Sequence, residues 1–495
     1  MAREQEIKKE RIKKIQELRK KGEQVYGYFF DKKDSAIDLQ EKYKNLKNGQ
    51  GTKKKAKIAG RVMIVRDMGK INFSSLQDST GKMQIILQQS KTPEKIIDFF
   101  KKYIDTGDFI GVSGTIMKTK KGELSVLVKK IELLSKALLP LPEKWHGLKD
   151  KEERYRKRYL DIIMNPQVKE VFVKRQKIID AMREFMIKRG YIEVQTPILQ
   201  PIYGGGSARP FESKLNALNM KVYMRIANEL YLKRLIVGGF EKIFEFSIDF
   251  RNEGIDKSHN PEFLLFEVMT AYDDYKDGMK LIEDITEYIV KKINGKTKIK
   301  YQGKIIDFKK PWKRISVREA IKKYAKIDIE EVSDSQLKKI IEKGNIKLKG
   351  KFNRGNAIMA LIEEFCEEHF IQPTMLYDYP AETSPLAKPH RKDPRYAERF
   401  EQYANGFEIG NNYSELNDPS ILTENWKRQE EALRKGDEEA QRMDKDFINA
   451  LEVGMPPTCG LGIGVDRLVM LLTDSSSIRD VIMFPFMKSK GGKNG

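Results

Sequence analysis

The stretch that decides the fold is "EKIFEFSIDFRNEGIDKSHNPEFLLFEVMTAY", residues 241–272. Its two ends, 241–250 and 264–272, alternate polar and apolar residues, which is typical of half-buried β-strands. A plain hairpin would join them through a short Asn-Gly or Asp-Gly turn. Here the connection, "FRNEGIDKSHNPEF" (250–263), instead carries an Arg, two Glu, an Asp, a Lys and a His between two Phe. We therefore expect a pair of strands whose loop holds a flat, anionic ligand.

The composition favours a soluble protein with a polyanionic partner. Among 495 residues, 94 Lys and Arg outnumber 72 Asp and Glu, which gives a net charge of +22. Such an excess indicates a nucleic-acid partner, although Lys-rich solvated surfaces are the alternative. The two cysteines, Cys366 and Cys459, are too far apart for a zinc knuckle or a disulfide framework and fit a reducing cytosol. With no run of about 18 apolar residues, we expect a cytoplasmic protein without a membrane partner.

The chain divides into two folded parts by its periodicity. Residues 55–137 contain about five short alternating strands with one helical interruption, which predicts an OB-fold β-barrel. Before it, residues 3–21 predict a basic amphipathic helix that either docks onto its own protein or faces nucleic acid. The expected domains are a basic helical segment (1–54), the OB-fold (55–137), a linker (138–158), a mixed helix and strand domain (159–487) with a helical insertion (about 312–372), and a disordered tail (488–495).

Two further segments belong with the opening stretch. No G-x-x-x-x-G-K-[ST] or G-x-G-x-x-G phosphate loop is present. Instead, "GYIEVQTPILQP" (190–201) predicts a strand after a long helix (168–189), and "CGLGIGVDRLVMLL" (459–472) predicts a Gly-rich strand that runs into a helix carrying Arg467. Each alone has a structural explanation, since glycines permit close strand packing and Arg467 could form an ion pair at a helix terminus.

Together the three segments resemble the three motifs of class II aminoacyl-tRNA synthetases. Nearly the whole chain is similar to the lysyl-tRNA synthetase family, including "GGGSARPF", "YPAETSPLAK" and "FEIGNNYSELND" in the same order. The resemblance implies an α+β fold, with an N-terminal OB-fold anticodon-binding barrel, an antiparallel sheet flanked by helices, and a homodimer formed through the first motif. It implies a lysine–tRNA ligase that activates L-lysine with ATP and transfers the lysyl group to the 3′ end of tRNA(Lys).

The resemblance also assigns a nucleotide site to the charged loop. In-line attack on phosphorus needs positioning and charge neutralisation more than a proton shuttle. The implied catalytic residues are therefore Arg251, which grips the α-phosphate, and Arg467, which covers adenine and reaches the γ-phosphate. The implied ATP-binding residues are Arg251, Glu253 at the adenine amino group, His259 near the outer phosphates, Asn260, Phe263 stacked on adenine, and Arg467.

A lysine pocket and a metal site follow from the same resemblance. A buried ammonium needs acidic partners, which aspartyl and asparaginyl enzymes would not provide. Glu229 is assigned to the α-amino group, and Glu267 and Glu415 lie nearer the side-chain ammonium. The full implied lysine set is Gly205, Glu229, Glu267, Asn411 and Glu415, and the implied Mg²⁺ ligands are Glu401 and Glu408. Without the resemblance, the last two would be explained as surface glutamates on a strand.

The chain departs from the family pattern at three positions. Met269 stands where the family usually has a Tyr whose hydroxyl helps to hold the substrate ammonium. Asn228 replaces a common Pro, and Asn412 a common Gly. Because a thioether is a weak acceptor, we expect one pocket hydrogen bond to be lost or supplied by water, with looser discrimination between lysine and ornithine.

The barrel carries the family's anticodon positions. These are Arg66, Phe73, Gln84 and Glu123, with Phe73 expected to stack on an unpaired base. Two alternatives stay open beside the ligase. One is a lysyl ligase that modifies a protein, although such enzymes resemble the catalytic part alone. The other is a catalytically inactive tRNA-binding protein, which would have no need of the two arginines and the acidic pocket.

Overall fold

The computed structural model describes residues 2–142, 148, 150–348, 350–434 and 442–489, with only the backbone at positions 2 and 432. The chain forms two compact units, Met1–Leu148 and Lys149–Gly495. Parts of the expected linker and of the expected disordered tail therefore lie outside the described residues. Among the residues that are described, no helix combines the length and the apolar character needed to cross a membrane.

The first unit is a closed five-stranded barrel. Its strands follow the order β1-β2-β3-β5-β4 around the barrel, and only the β3–β5 pair is parallel. A five-stranded barrel of this kind is the architecture of an OB-fold. The elements are α1 (Ala2–Lys20), α2 (Ala36–Lys42), β1 (Gly51–Asp67), β2 (Ile71–Gln77), β3 (Lys82–Gln88), α3 (Glu94–Tyr103), β4 (Phe109–Lys118) and β5 (Leu124–Ser135).

The N-terminal helix α1 docks onto this barrel. Ile15 and Leu18 are buried in the apolar core of the barrel. Arg11 is also buried, and its guanidinium donates to the backbone oxygens of Ala137 and Leu139 at 2.7 and 3.1 Å and to that of Thr106 at 3.0 Å. Of the two roles considered for this helix, docking onto its own protein is therefore observed.

The second unit is built around an eight-stranded sheet. Its helices are α4 (Lys151–Arg156), α5 (Arg158–Met164), α6 (Pro166–Ile187), α7 (Glu229–Val237), α8 (Tyr275–Asn294), α9 (Val317–Tyr324), α10 (Asp334–Lys343), α11 (Arg354–Phe365), α12 (Pro419–Arg434), α13 (Lys445–Val453), α14 (Val465–Thr473) and α15 (Ile478–Val481), with 3-10 turns at Asn216–Leu218, Glu367–His369 and Ala381–Thr383. Its strands are β6 (Ile192–Glu193), β7 (Leu199–Gln200), β8 (Glu212–Leu215), β9 (Met220–Met224), β10 (Lys242–Phe250), β11 (Glu262–Ala271), β12 (Lys298–Tyr301), β13 (Lys304–Asp307), β14 (Lys313–Ser316), β15 (Thr374–Pro380), β16 (Tyr396–Ala404), β17 (Phe407–Ser414) and β18 (Thr458–Gly464).

The strand order of the large sheet is β14-β15-β16-β17-β18-β11-β10-β6. The six central strands are antiparallel, as expected, but the pairs β14–β15 and β10–β6 at the two edges are parallel. Parallel strands need a crossover connection, and the helices α9 to α11 supply it between β14 and β15. The sheet is therefore mixed at its edges.

Alternation along β11 decides which face of the sheet is open. Phe266 and Val268 pack among the helices α6, α8 and α14 in the largest apolar core. Because successive side chains of a strand point to opposite faces, Glu267 and Met269 lie on the other face. There, Met269 borders a second core formed with α7, α12 and α13. The chemistry-bearing side chains share this face.

Candidate active site

The open face carries two rows of residues that are aligned across four strands. Directly opposed residues in neighbouring strands place their side chains on one face. Each row has a glycine at its β18 position, Gly462 in one row and Gly460 in the other, so β18 contributes no side chain to the face there. We call this bare part of the sheet the floor of the site. A Cβ added to Gly460 would lie 1.7 Å from Oε1 of the buried Glu415, so a larger residue there would displace that carboxylate. The rows are Glu267–Gly462–Asn411–Glu401 and Met269–Gly460–Tyr413–Arg399.

Asp256 holds the conformation of the charged loop between β10 and β11 through hydrogen bonds. Oδ1 of Asp256 accepts from the backbone N–H groups of Ser258 and His259 at 2.6 and 2.8 Å, and its Oδ2 lies 2.8 Å from Nδ1 of His259. The N–H of Arg251 donates to the carbonyl of Pro261 at 2.9 Å and closes the base of the loop. These bonds fix the conformation of the loop from within.

Arg467 joins this loop to the start of α14. Its Nη1 donates to the backbone oxygen of Glu408 at 2.8 Å and lies 3.3 Å from that residue's Oε2, and its Nη2 lies 3.3 Å from Nε2 of His259. Because a guanidinium only donates, Nε2 accepts and Nδ1 of His259 carries the proton that is donated to Asp256. Asp466, paired with Arg175, accepts from the N–H of Leu264 at 2.8 Å and fixes α14 against β11.

Arg251 lies where the charged loop meets the glycine-rich segment at 204–206. Its guanidinium is 5.1 Å from the centre of the Phe263 ring. A Cβ on Gly206 would be 3.7 Å from Nη2 of Arg251. The neighbouring Gly205, at φ +83°, would place a Cβ 3.2 Å from the Cβ of Glu229. This close approach requires glycine and brings the glycine-rich segment against the acidic pocket.

The acidic pocket contains three carboxylates and one ammonium. Nζ of the buried Lys233 lies 2.6 Å from Oε1 of Glu229 and also pairs with Glu415. Although burial disfavours the charge, these two carboxylates hold the pKa of Lys233 above its usual value. Burial, opposed by Lys233 and reinforced by Glu229, raises the pKa of Glu415 to about 8. The pocket therefore has more acid than base.

Glu267 is the pocket carboxylate whose negative charge is not balanced by the ammonium of Lys233, which pairs with Glu229 and Glu415. Its side chain is 9% exposed. Burial, and then repulsion from Glu229, Asp249 and Glu415, raises its pKa well above the usual value, while Arg251 opposes the rise. Glu267 thus lies within electrostatic reach of both the pocket carboxylates and the arginine of the loop. A cationic ligand beside it would remove the repulsion.

Glu401 of β16 and Glu408 of β17 lie on adjacent strands, and Glu408 contacts Arg467. Oε2 of the buried Glu401 accepts from the hydroxyls of Tyr379 and Tyr403 at 2.7 and 2.6 Å, and its Oε1 pairs with Arg399 at 2.5 Å. Burial raises the pKa of Glu401, and repulsion from Glu408 adds to the rise against the effect of Arg399. Within the described residues, no three His, Cys, Asp or Glu side chains are grouped to hold a metal by themselves.

The remaining expected site residues are arranged as follows. Glu253 is exposed on the charged loop. Asn260 is buried, and its Nδ2 donates to the backbone oxygen of Glu262 at 2.6 Å. Oδ1 of Asn411 accepts from Nε of Arg399 at 2.9 Å, so Asn411 lies on the sheet floor between the acidic pocket and Glu401.

The four anticodon positions belong to the barrel. Phe73 of β2 is half-buried and stands directly opposite the exposed Arg66 of β1. Gln84 of β3 is paired with Ser75, two residues after Phe73, and its Oε1 accepts from Ser125 at 2.7 Å. These three share the outer face of the barrel. Glu123 is exposed in the turn just before β5.

Sequence reasoning missed three side chains of the catalytic face. Lys233 follows Glu229 by four residues on α7, a spacing that places both on one helix face. Tyr413 lies two residues after Asn411, and Arg399 two residues before Glu401, so strand alternation could have found them.

Two of the residues that depart from the family pattern form hydrogen bonds inside the catalytic unit. The amide nitrogen of the Asn228 side chain donates to Oε2 of the buried Glu245 at 2.8 Å. Oδ1 of Asn412 accepts from the N–H of Gly462 at 3.1 Å.

Comparison with known proteins agrees with this geometry. The family model described as tRNA synthetases class II (D, K and N) matches residues 150–488, and the OB-fold nucleic acid binding domain matches residues 56–134. The chain is 47% identical to the lysine–tRNA ligase of Methanoculleus marisnigri, covering 98% of this chain and 96% of the relative. It is 48% identical to that of Clostridium novyi (97% and 94%) and 50% identical to that of Thermoanaerobacter pseudethanolicus (98% and 96%). The chain therefore belongs to the class II (D, K and N) tRNA synthetases and, within them, to the family of the lysine–tRNA ligases.

Proposed function

We propose that the protein is a lysine–tRNA ligase, and the charge balance of its pocket is the observation that carries the proposal. Glu229, Glu267 and Glu415 present three carboxylates, and Lys233 is the ammonium paired among them. When all three are ionised, two negative charges remain after pairing with Lys233, and free lysine brings two ammonium groups that would favour this ionised form. An aspartate or asparagine side chain would add acid or only a neutral amide to the same buried space, and desolvation of the carboxylates would go uncompensated.

The adjoining arginines support activation of lysine by ATP. In the first step a carboxylate oxygen of lysine attacks the α-phosphorus, the bond to the bridging oxygen of the β-phosphate breaks, and lysyl-adenylate and pyrophosphate form. Arg251 would neutralise the α-phosphate, and its position near Glu267 and Gly206 supports this role. Arg467, with His259 beside it, would bind the outer phosphates. Phe263, with Glu253 and Asn260, would bind the adenine.

Glu401 and Glu408 fit a magnesium site completed by the nucleotide. Their mutual repulsion would be relieved by a divalent cation. Mg²⁺ usually binds one or two protein carboxylates together with substrate phosphates, so a third protein ligand is not required. When bound, the ion would neutralise phosphate charge. Arg399 and the two tyrosines orient Glu401, and Arg467 orients Glu408.

The second step transfers the lysyl group to tRNA(Lys). A ribose hydroxyl at the 3′ end attacks the acyl carbon of the adenylate, and AMP leaves. The barrel would read the anticodon through Arg66, Phe73, Gln84 and Glu123, since a half-buried aromatic ring flanked by polar groups on one face suits the bases of an unstacked loop. The net charge of +22 favours the polyanion.

We also propose that the protein acts in the cytoplasm as a homodimer. The segment from the end of α6 to β7 exposes a series of large apolar side chains, and an apolar patch of this kind marks a protein interface. The exposed fractions are Ile187 55%, Ile192 53%, Ile198 42%, Leu199 53% and Ile202 37%. Sedimentation of the purified protein at micromolar concentration tests this point separately.

The test of function is ATP–pyrophosphate exchange with single amino acids, followed by charging of purified tRNA(Lys). We expect exchange with lysine and not with aspartate or asparagine, and then formation of lysyl-tRNA. Exchange without tRNA charging would favour the protein-modifying ligase instead. No exchange with lysine would refute the proposal and favour a binding protein.

A further inference from the structure

Glu401, one of the two proposed magnesium ligands, already accepts three hydrogen bonds. A carboxylate has about four acceptor positions, two on each oxygen. Tyr379 and Tyr403 donate to Oε2 at 2.7 and 2.6 Å, and Arg399 pairs with Oε1 at 2.5 Å. The position that remains is on Oε1, next to the guanidinium, where a second cation would be repelled. For Glu401 to bind a divalent cation well, one of the donors must therefore leave.

Tyr403 is a donor with a second carboxylate within reach. Its hydroxyl lies 3.3 Å from Oε1 of Glu367, and a phenol has only one proton to donate. In the structure this proton goes to Glu401, at the shorter distance of 2.6 Å. Tyr403 also stands directly opposite Glu408, the other proposed ligand. Because the O–H bond rotates while the buried ring stays in place, the hydrogen bond can pass from one carboxylate to the other.

We propose that Glu367 is a positioning residue of the nucleotide site, which takes over the hydrogen bond of Tyr403 from Glu401 when a divalent cation binds. Glu401 then binds the cation with the electron pair that it had shared with the phenol. The inference rests on the proposed magnesium site and adds to it a residue that acts only through Tyr403.

Glu367 is fixed at the end of the two strands that carry the proposed ligands. It begins the 3-10 turn that follows α11. The turn between β16 and β17 packs on it, since a Cβ on Gly406, at φ +80°, would be 3.4 Å from the backbone oxygen of Glu367. The N–H of Gly406 donates to the carbonyl of Phe370 at 3.1 Å, and the ring of Phe370 lies 5.2 Å from that of Tyr403. The phenol and the carboxylate thus keep their distance while the hydrogen bond changes.

The charges around Glu367 favour this change once a cation is present. Burial, and then repulsion from three glutamates, raises the pKa of Glu367 to about 7, although the bond from Tyr403 opposes the rise. The three are Glu363, Glu401 and Glu408. Glu367 is therefore within electrostatic reach of both proposed ligands. A cation bound by them would remove part of the repulsion and make Glu367 a stronger acceptor.

The test is calorimetry of ATP binding in Mg²⁺ and in EDTA, without lysine, so that no adenylate forms. The Kd in EDTA divided by the Kd in Mg²⁺ measures how much the cation strengthens nucleotide binding. Glu367→Gln keeps the shape of the side chain but accepts more weakly. We expect it to lower this ratio about 10-fold, the effect of one hydrogen bond to a charged group. The Kd in EDTA and the melting temperature should stay as in the wild type.

Glu368→Gln is the matched control, because it removes an exposed carboxylate from the same turn. A second variant separates the hydrogen bond from the charge of Glu367. In a Tyr403→Phe background no phenol proton is left, so adding Glu367→Gln should not change the ratio further.

Three results would overturn the inference. They are a wild-type ratio in Glu367→Gln, an equal loss in the Tyr403→Phe background, and an equal weakening of ATP binding in Mg²⁺ and in EDTA. If Mg²⁺ does not strengthen ATP binding to the wild type, the proposed magnesium site is refuted and this inference with it. A wild-type protein that binds MgATP but does not exchange with lysine would instead refute the proposed function.

Discussion

Removal of one charge from the acidic pocket gives the sharpest test of its function. Glu267→Gln keeps the shape of a side chain that is 9% exposed and is repelled by three other carboxylates. In the substrate-free protein the change relieves repulsion. In the lysine complex it removes a partner of a buried ammonium. Binding and stability should therefore move in opposite directions.

The expected size follows from the burial of Glu267. Removing one partner of a buried charge pair costs about 2–5 kcal/mol, which corresponds to an increase of about 30-fold to several thousand-fold in KM for lysine. KM for ATP should change little. The raised pKa of Glu267 means that its stabilising contribution is present below its unfolded pKa and is lost as the pH rises through the folded value. Glutamine stays neutral, so the variant should gain stability over the wild type progressively as the pH rises above the unfolded pKa of Glu267, by about 1.4 kcal/mol for each pKa unit of relief, and the gain should be larger at pH 9 than at pH 6.

The assay is lysine-dependent exchange at saturating ATP, with urea unfolding at pH 6 and pH 9. Glu241→Gln is the control, because Glu241 is exposed just before β10 and outside the pocket. An unchanged KM for lysine in Glu267→Gln would refute the placement of the substrate ammonium. A large loss of stability at pH 6 would show instead that Glu267 supports the fold.

Three further predictions follow from the structure. Because the pKa of Glu415 is raised to about 8 and lysine binding favours its ionised form, KM for lysine should fall as the pH rises from about 6 to 8. A flat profile would contradict this. Phe73→Ala should raise KM for tRNA(Lys), by the roughly 1–3 kcal/mol of one stacked base, and leave exchange unchanged; equal losses in both assays would exclude an anticodon role. Arg11→Ala should destabilise the first unit by about 2 kcal/mol or more in urea unfolding, since its guanidinium is buried against three carbonyl groups, whereas the exposed Lys13→Ala should not.

The sequence by itself determined the local elements and the residues of the charged loop. Alternation at 241–250 and 264–272 predicted strands that the structure places at Lys242–Phe250 and Glu262–Ala271. The OB-fold, the α+β class and the family also followed from the sequence. Such features can be predicted from the sequence because alternation and turn chemistry depend on residues only a few positions apart. The assigned roles of the individual site residues stay predictions.

Only the tertiary structure decided which distant side chains share the pocket. The hydrogen bond from Tyr413 to Glu229 spans 184 residues, and the contact between Arg467 and His259 spans 208. The parallel edge strands and the docking of α1 were likewise not fixed by local pattern. Strand order and register determine these neighbours, and both depend on the packing of the whole sheet against its helices, a cooperative property that no short window of residues contains.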